Sequence, residues 1–281
     1  MGGANPDPLS DERRSRAVDY LGRATSLFRT TLAPFRQLVS CVAVTGSITY
    51  GQAGPDDDCD FLVVTRDGAA WVYLALALAR LRLRRFSKEG RTDPIWCINY
   101  VVDDSSARRD YIVPRGFLFA REALLARPLE GAEYYRRLLG SAAWLQTETP
   151  RLWARWKLEG IPEELSPSRS SGLGVRFLNA AIFPFLAAYL QAVGLVRNAR
   201  HRRAGDAASL FRTVTRPDRM AFLVDRFDSL RKVYARASAT RPGSGARARA
   251  PGGGRPGPTG PSPAPPPRPS EAREDSGILS G

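Results

Sequence analysis

Histidine is almost missing from this sequence: His201 is the only one among 281 residues. A multi-histidine metal centre is therefore excluded. A Ser-His-Asp triad has one candidate, set in Arg197-Asn198-Ala199-Arg200-His201-Arg202-Arg203, which reads as an exposed basic loop. Cysteine is scarce as well. Cys41, Cys59 and Cys97 are three, none in a CxxC pair. An odd number without a framework argues against a disulfide scaffold and for reduced, buried thiols in a cytoplasmic setting. Acidic residues are outnumbered, 28 against 42 basic ones, for a net charge of +14. Such a field favours phosphate-bearing partners without choosing between ATP, RNA and acidic lipid. The segment 1–9 is rich in Gly, Pro and Asn and lacks the apolar centre of a secretory signal, so disorder is expected there. The segment 237–281, rich in Pro, Gly and Arg, has almost no apolar side chain to offset the entropy of ordering, and is also expected to be disordered.

What is present centres on Cys41 to Val64, CVAVTGSITYGQAGPDDDCDFLVV. The apolar, β-branched run from Leu38 to Thr45 predicts a strand that stops at Gly46-Ser47. A second strand is predicted from Asp58 through Val64. With period two, Asp58 and Asp60 share one face and Cys59 and Phe61 the other. Two adjacent carboxylates repel unless water or a cation lies between them. Oxygen donors of this kind suit Mg²⁺, which takes one or two carboxylates, waters and substrate phosphates. Backbone N–H groups at the Gly46-Ser47 turn are suited to receive phosphate. Together these features predict a nucleoside triphosphate site.

At these residues the chain resembles the nucleotidyltransferase superfamily, which includes DNA polymerase beta and the minimal bacterial nucleotidyltransferases. The shared pattern is an apolar strand, Gly-Ser, about ten residues, then Asp-x-Asp between apolar residues. Here it reads VTGS, ITYGQAGPDD, DCDFLVV, with Gly51 where relatives often carry a second glycine. The resemblance implies Gly46 and Ser47 on the terminal phosphates and Asp58 and Asp60 on Mg²⁺, one ion or two. The third-strand position that carries another acid in many relatives is Asn99 in this chain. Asparagine cannot act as a general base, although its carbonyl can contact a metal or a hydroxyl. Asp103 and Asp104 lie four and five residues further on, roughly 13–17 Å along a strand, too far to substitute.

The remaining chain reads as follows. A leading amphipathic helix starts at Ser10-Asp11-Glu12 and uses Val18, Leu21, Leu27, Phe28, Leu32 and Phe35. Ala69 to Arg85 is helical, with Trp71, Leu74, Leu78, Leu81 and Leu83 as its stripe and Arg80, Arg82, Arg84 and Arg85 at its end. Those arginines serve either helix termination or a phosphate-bearing substrate. Pro94 to Val102 is the third strand, and Tyr111-Ile112-Val113 a short edge element. Helices follow from Phe117 and from Ala132, separated by a Pro-Leu-x-Gly break that also resembles the family; Glu122 is a late carboxylate or a surface residue. Trp153 and Trp156 are spaced for a helical core and, alternatively, for base stacking. Glu159 to Gly174 reads as a connection. Val175 to Val196 is long enough to cross a bilayer, but Asn179, Pro184, Gln191 and Gly194 favour a buried, Pro-kinked helix. Leu210 to Ala235 is read as another helix beginning at Pro217.

The expected architecture is α/β: a small mixed sheet with helices on one side over residues 10–145, a helical domain over 146–236, and the disordered tail. The expected activity, implied by the resemblance, is transfer of a nucleoside monophosphate from a triphosphate to a hydroxyl on a protein, an RNA end or a small molecule. Two other readings are a catalytically weak nucleotide-binding sensor or scaffold, and a membrane-associated basic protein anchored through 177–196.

Overall fold

Val39–Thr45 (β1) and Cys59–Thr65 (β2) are apolar on both sides of the chain, and both sides are buried. A strand of this kind needs cover on each face of its sheet. The computed structural model supplies it, and describes residues 8–55, 57–87, 93–157, 170–205 and 210–224. The other strands are Trp96–Asp103 (β3), Arg127–Glu130 (β4), Phe211–Arg216 (β5) and Arg219–Val224 (β6). They form one mixed α/β sheet in the order β4-β1-β2-β3-β6-β5. β2 and β3 are parallel, and the crossover that a parallel pair requires is the helix Ala70–Arg85.

Helices cover both faces of this sheet, not one as expected. Pro8–Leu27 (α1), Ala70–Arg85 (α2) and Leu173–Arg203 (α8) enclose Val42, Val44, Phe61 and Val63. Asp104–Ile112 (α3), Phe117–Leu125 (α4), Ala132–Gly140 (α5), Trp144–Glu148 (α6) and Pro150–Lys157 (α7) enclose Cys41, Ala43, Leu62 and Val64. A sheet apolar on both faces leaves no other arrangement.

Several local expectations change. The first helix begins at Pro8, whose missing N–H costs nothing in a first turn, so Pro8 and Leu9 are helical; residues 1–7 lie outside the described residues. Val18 points to solvent at 68 % exposure while Ala17 and Ala24 are buried. Leu83 of α2 is likewise exposed. Tyr111 and Ile112 end helix α3, not an edge strand: Asp104 opens that helix and pairs with Arg108 one turn on, and Tyr111 packs into the core. Residues 211–224 form a hairpin, not a helix. Thr213-Val214-Thr215 is β-branched with period two, and Pro217-Asp218 makes the turn. β6 then pairs with β3, so the stretch 146–236, expected to be purely helical, adds two strands to the sheet. The connection 158–169 and everything from 225 onward, including the tail, lie outside the described residues.

α8 is the largest departure. It is one continuous helix with Pro184 inside, but only 22 % of its most apolar stretch is buried. Asn179 is buried, and Gln191, though exposed, bonds back to the body. Asn179 Oδ1 accepts the backbone N–H groups of Trp71 (2.7 Å) and Val72 (3.4 Å), and so satisfies the first turn of α2. Gln191 Nε2 donates to the Thr213 carbonyl and the Thr215 hydroxyl of β5. The expectation of a mainly buried helix rested on composition, and composition does not say which side faces the body.

The Pro-Leu-x-Gly break is the edge strand β4, antiparallel to β1, with Pro128 at the sheet edge, where a missing donor is tolerated. Gly131 ends it at φ +67°, and a Cβ there would lie 1.9 Å from the Ser40 carbonyl oxygen. Gly131→Ala is therefore expected to destabilise the protein by about 2 kcal/mol or more in chemical denaturation. An unchanged midpoint would show that β4 does not dock on β1 as described.

Candidate nucleotide and metal site

β1 delivers the chain to Gly46, which has φ +80° and ψ −160°, and a 3₁₀ turn over Ser47–Tyr50 follows, closed by Gly51 at φ +70°. Gly46 is needed here for space as well as angle. A Cβ would sit 3.0 Å from Asp60 Oδ2, so the turn lies directly against that carboxylate. The register agrees, since Thr45 pairs with Asp60. Asp57 ties the turn to the loop before β2: its Oδ2 accepts the Ser47 hydroxyl at 2.6 Å and the Gly54 N–H at 2.9 Å. Across the turn, Gly46 N–H donates to Glu122 Oε2 at 3.2 Å. Arg121 lies with its guanidinium 4.4 Å from the Tyr50 ring centroid, placing a cation beside the same turn.

Asp58, Asp60 and Cys97 converge from β2 and β3, with one ligand atom of each within 4.8 Å of the others. Asn99 reaches the same place and its Nδ2 donates to Asp60 Oδ1. A bulge interrupts the pairing just beyond Asp60. Phe61 pairs with Ile98 but Leu62 with Tyr100, leaving Asn99 as the extra residue on β3. The bulge turns Tyr100 onto the face of Asn99, so Ile98 and Tyr100 do not share a face as strict alternation would have it. Ile98 packs in one core and Tyr100 against the other. Asn99 points into the pocket as expected, by direct contact with Asp60 and not through a water.

The charges are crowded. Burial pushes the Asp60 carboxyl up, the charges of Asp58 and Asp57 add to that, and the Asn99 amide pulls the other way, for a value of about 8. Burial also raises Glu122, against the Gly46 N–H. Burial, Asp60 and Asp58 raise the Cys97 thiol to about 12, and Arg197 opposes them. The thiol is then protonated and donates to Asn99 Oδ1. What remains for a cation is a pair of oxygen donors, the donor type that hard divalent ions take.

The other candidates fall elsewhere. Asp103 accepts the Thr65 hydroxyl and the Gly68 N–H at the far end of the sheet, and Asp104 holds Arg108 and Tyr134; neither approaches the pocket. Trp153 and Trp156 are buried with rings 4.8 Å apart, which is the core reading and not the stacking one. His201 is in the last turn of α8 rather than a loop. Of the α2 arginines, Arg84 pairs with Asp93, Arg82 donates to Tyr189, and Arg80 lies over Phe35. Comparison with protein-family models, with curated proteins and with solved structures finds no match to this chain in any of the three. The geometry therefore has to carry the reading.

Two participants, Asp57 and Cys97, are not singled out from sequence as parts of the site, and a third, Glu122, only as one of two alternatives. Asp57 is hidden in a run of three aspartates that offers no way to choose between them. Cys97 was read only as a buried thiol, although it lies two residues from Asn99 and so on its side of the strand. Glu122 was left between two roles because nothing local shows that α4 ends its reach at Gly46.

A carboxyl raised in the folded state binds its proton more tightly there than in the unfolded chain, so it stabilises at low pH and loses that contribution as pH rises. For Asp60 the window runs from 3.8 to about 8. In chelator-treated protein, the melting temperature of the wild type is expected to fall relative to Asp60→Asn as pH rises through this window. A constant difference between the two would mean that Asp60 is not crowded.

Proposed function

We propose that this protein transfers a nucleoside monophosphate from a nucleoside triphosphate to a hydroxyl acceptor, with Mg²⁺. The observation that carries this reading is the convergence of the Gly46-Ser47 turn, Asp58, Asp60 and Asn99 at one end of three neighbouring strands. Asp58 and Asp60 are the residues that would hold Mg²⁺. When bound, the ion supplies charge neutralisation at the reacting phosphate. Glu122 already sets an anionic oxygen on the Gly46 N–H, the place a terminal phosphate would take, and Ser47 would exchange Asp57 for the same ligand. Arg121 would add positive charge beside it.

In the transfer the acceptor oxygen bonds to the α-phosphorus, the bond to the bridging oxygen breaks, and pyrophosphate leaves. The acceptor's proton goes to solvent, because Asn99 cannot take it. Asn99 instead orients Asp60. General-base assistance is worth about 10²–10⁴ in rate, so turnover without it is slow, or the acceptor brings its own base. The same feature supports a second reading, a nucleotide-binding sensor or scaffold using this pocket with little chemistry. Label transfer from α-³²P nucleotide separates the two.

Asp58→Asn combined with Asp60→Asn is expected to abolish Mg²⁺-dependent triphosphate binding while keeping the circular-dichroism spectrum. Asn99→Asp is expected to tighten Mg²⁺ and, in a working transferase, to raise the rate. Unchanged nucleotide affinity in the double variant, by calorimetry, would remove the assignment.

A further inference from the structure

Helix α8 is built inside out. Two of its amides, Asn179 and Gln191, bond to α2 and to the β5–β6 hairpin, and Ala187 and Leu190 pack in the core. Its outward side carries Phe177 at 78 %, Phe185 at 79 % and Leu195 at 71 % exposure, with Tyr189, Val193 and Val196 also exposed. No charged residue occurs from Phe177 to Val196, a length of about 30 Å at helical rise. An uninterrupted apolar face of this size marks an interaction surface.

The face has shape and charge as well as apolarity. Two shallow hollows run along it, of about 490 and 430 Å³, joined at Tyr189. The first is lined by Ala75, Ile182, Phe185 and Leu186, and the second by Val193, Val196, Arg197 and Arg200. Apolar furrows that end at two arginines match an acyl chain that ends at a phosphate. Arg202 and Arg203 continue the basic end, on a chain of net charge +14.

We propose that α8 seats this protein on anionic lipid bilayers, lying in the plane of the surface with its outward face among the acyl chains and Arg197 and Arg200 against lipid phosphates. The helix does not cross the bilayer in this arrangement. Crossing would pull Asn179 from two backbone N–H groups and Leu190 from the core, whereas an in-plane helix keeps both and buries only what is now exposed. A second copy packed α8 against α8 would also cover the apolar face, but α8 carries no acidic residue to meet the arginines. Basic side chains are drawn to an anionic surface, so charge and apolar area act together here.

The test uses the full chain and extruded vesicles of phosphatidylcholine alone or mixed equally with phosphatidylglycerol, read by flotation. Binding to the anionic vesicles is expected to be at least about tenfold tighter than to the neutral ones. Phe185→Ser with Leu195→Ser, both at exposed positions, is expected to weaken it at least about tenfold with the melting temperature unchanged. Arg197→Ser with Arg200→Ser is expected to remove the preference for anionic vesicles. No flotation with either vesicle overturns the proposal. So does binding that ignores the Phe185/Leu195 change, and so does a dimer in sedimentation equilibrium that the same change converts to monomer while vesicles stay unbound. Phe185 and Leu195 touch none of Gly46, Ser47, Asp58, Asp60 or Asn99, so the outcome of that change leaves the reading of Asp58 and Asp60 untouched.

Discussion

The parallel pairing of β2 with β3 is the constraint on which the rest depends. Parallel strands cannot be joined by a tight turn, so α2 must cross over the sheet, and its first turn then needs an acceptor for its backbone N–H groups. Asn179 supplies one, which fixes α8 on the same face. With β3 beside β2, its outer edge is open to β6. The same pairing sets the Asn99 amide against Asp60, and the bulge beside it re-aims Tyr100. One register thus joins the architecture to the pocket.

Electrostatics in that pocket run against the apo state. Asp57, Asp58 and Asp60 lie along one short stretch, and Glu122 approaches from α4. The protein meets this crowding with neutral donors: the Ser47 hydroxyl, the Gly46 and Gly54 N–H groups and the Asn99 amide. These donors hold the carboxylates in place without cancelling their charge. A divalent cation would cancel it, and a triphosphate would then replace Glu122 and Asp57 as the acceptor for two of the donors.

How much of this was legible in the sequence depends on the range of the interaction. β1, β2, β3, α2 and the Gly46-Ser47 turn were legible because short-period apolar patterns and one Gly-Ser pair decide them. So was the meeting of Asp60 and Asn99, which needs only that β2 and β3 be neighbours. The bulge was not, since no residue at 97–100 signals an extra position. The β5–β6 hairpin was misread as helix because Phe211, Met220, Leu223 and Val224 satisfy a helical spacing as well as a strand alternation. The exposed side of α8 was misjudged because its apolar residues outnumber the polar ones that anchor it. Tertiary hydrogen bonds at Asn179 and Gln191, more than a hundred and about twenty residues from their partners, decide that orientation.

The most direct test is diffraction from crystals grown with Mn²⁺ and a triphosphate analogue that resists cleavage between its α- and β-phosphorus. The account predicts an anomalous peak between the carboxylates of Asp58 and Asp60, with the terminal phosphates on the Gly46-Ser47 turn and Glu122 displaced. Nucleotide bound away from this turn, or Mn²⁺ absent from both aspartates while nucleotide is bound, would contradict it.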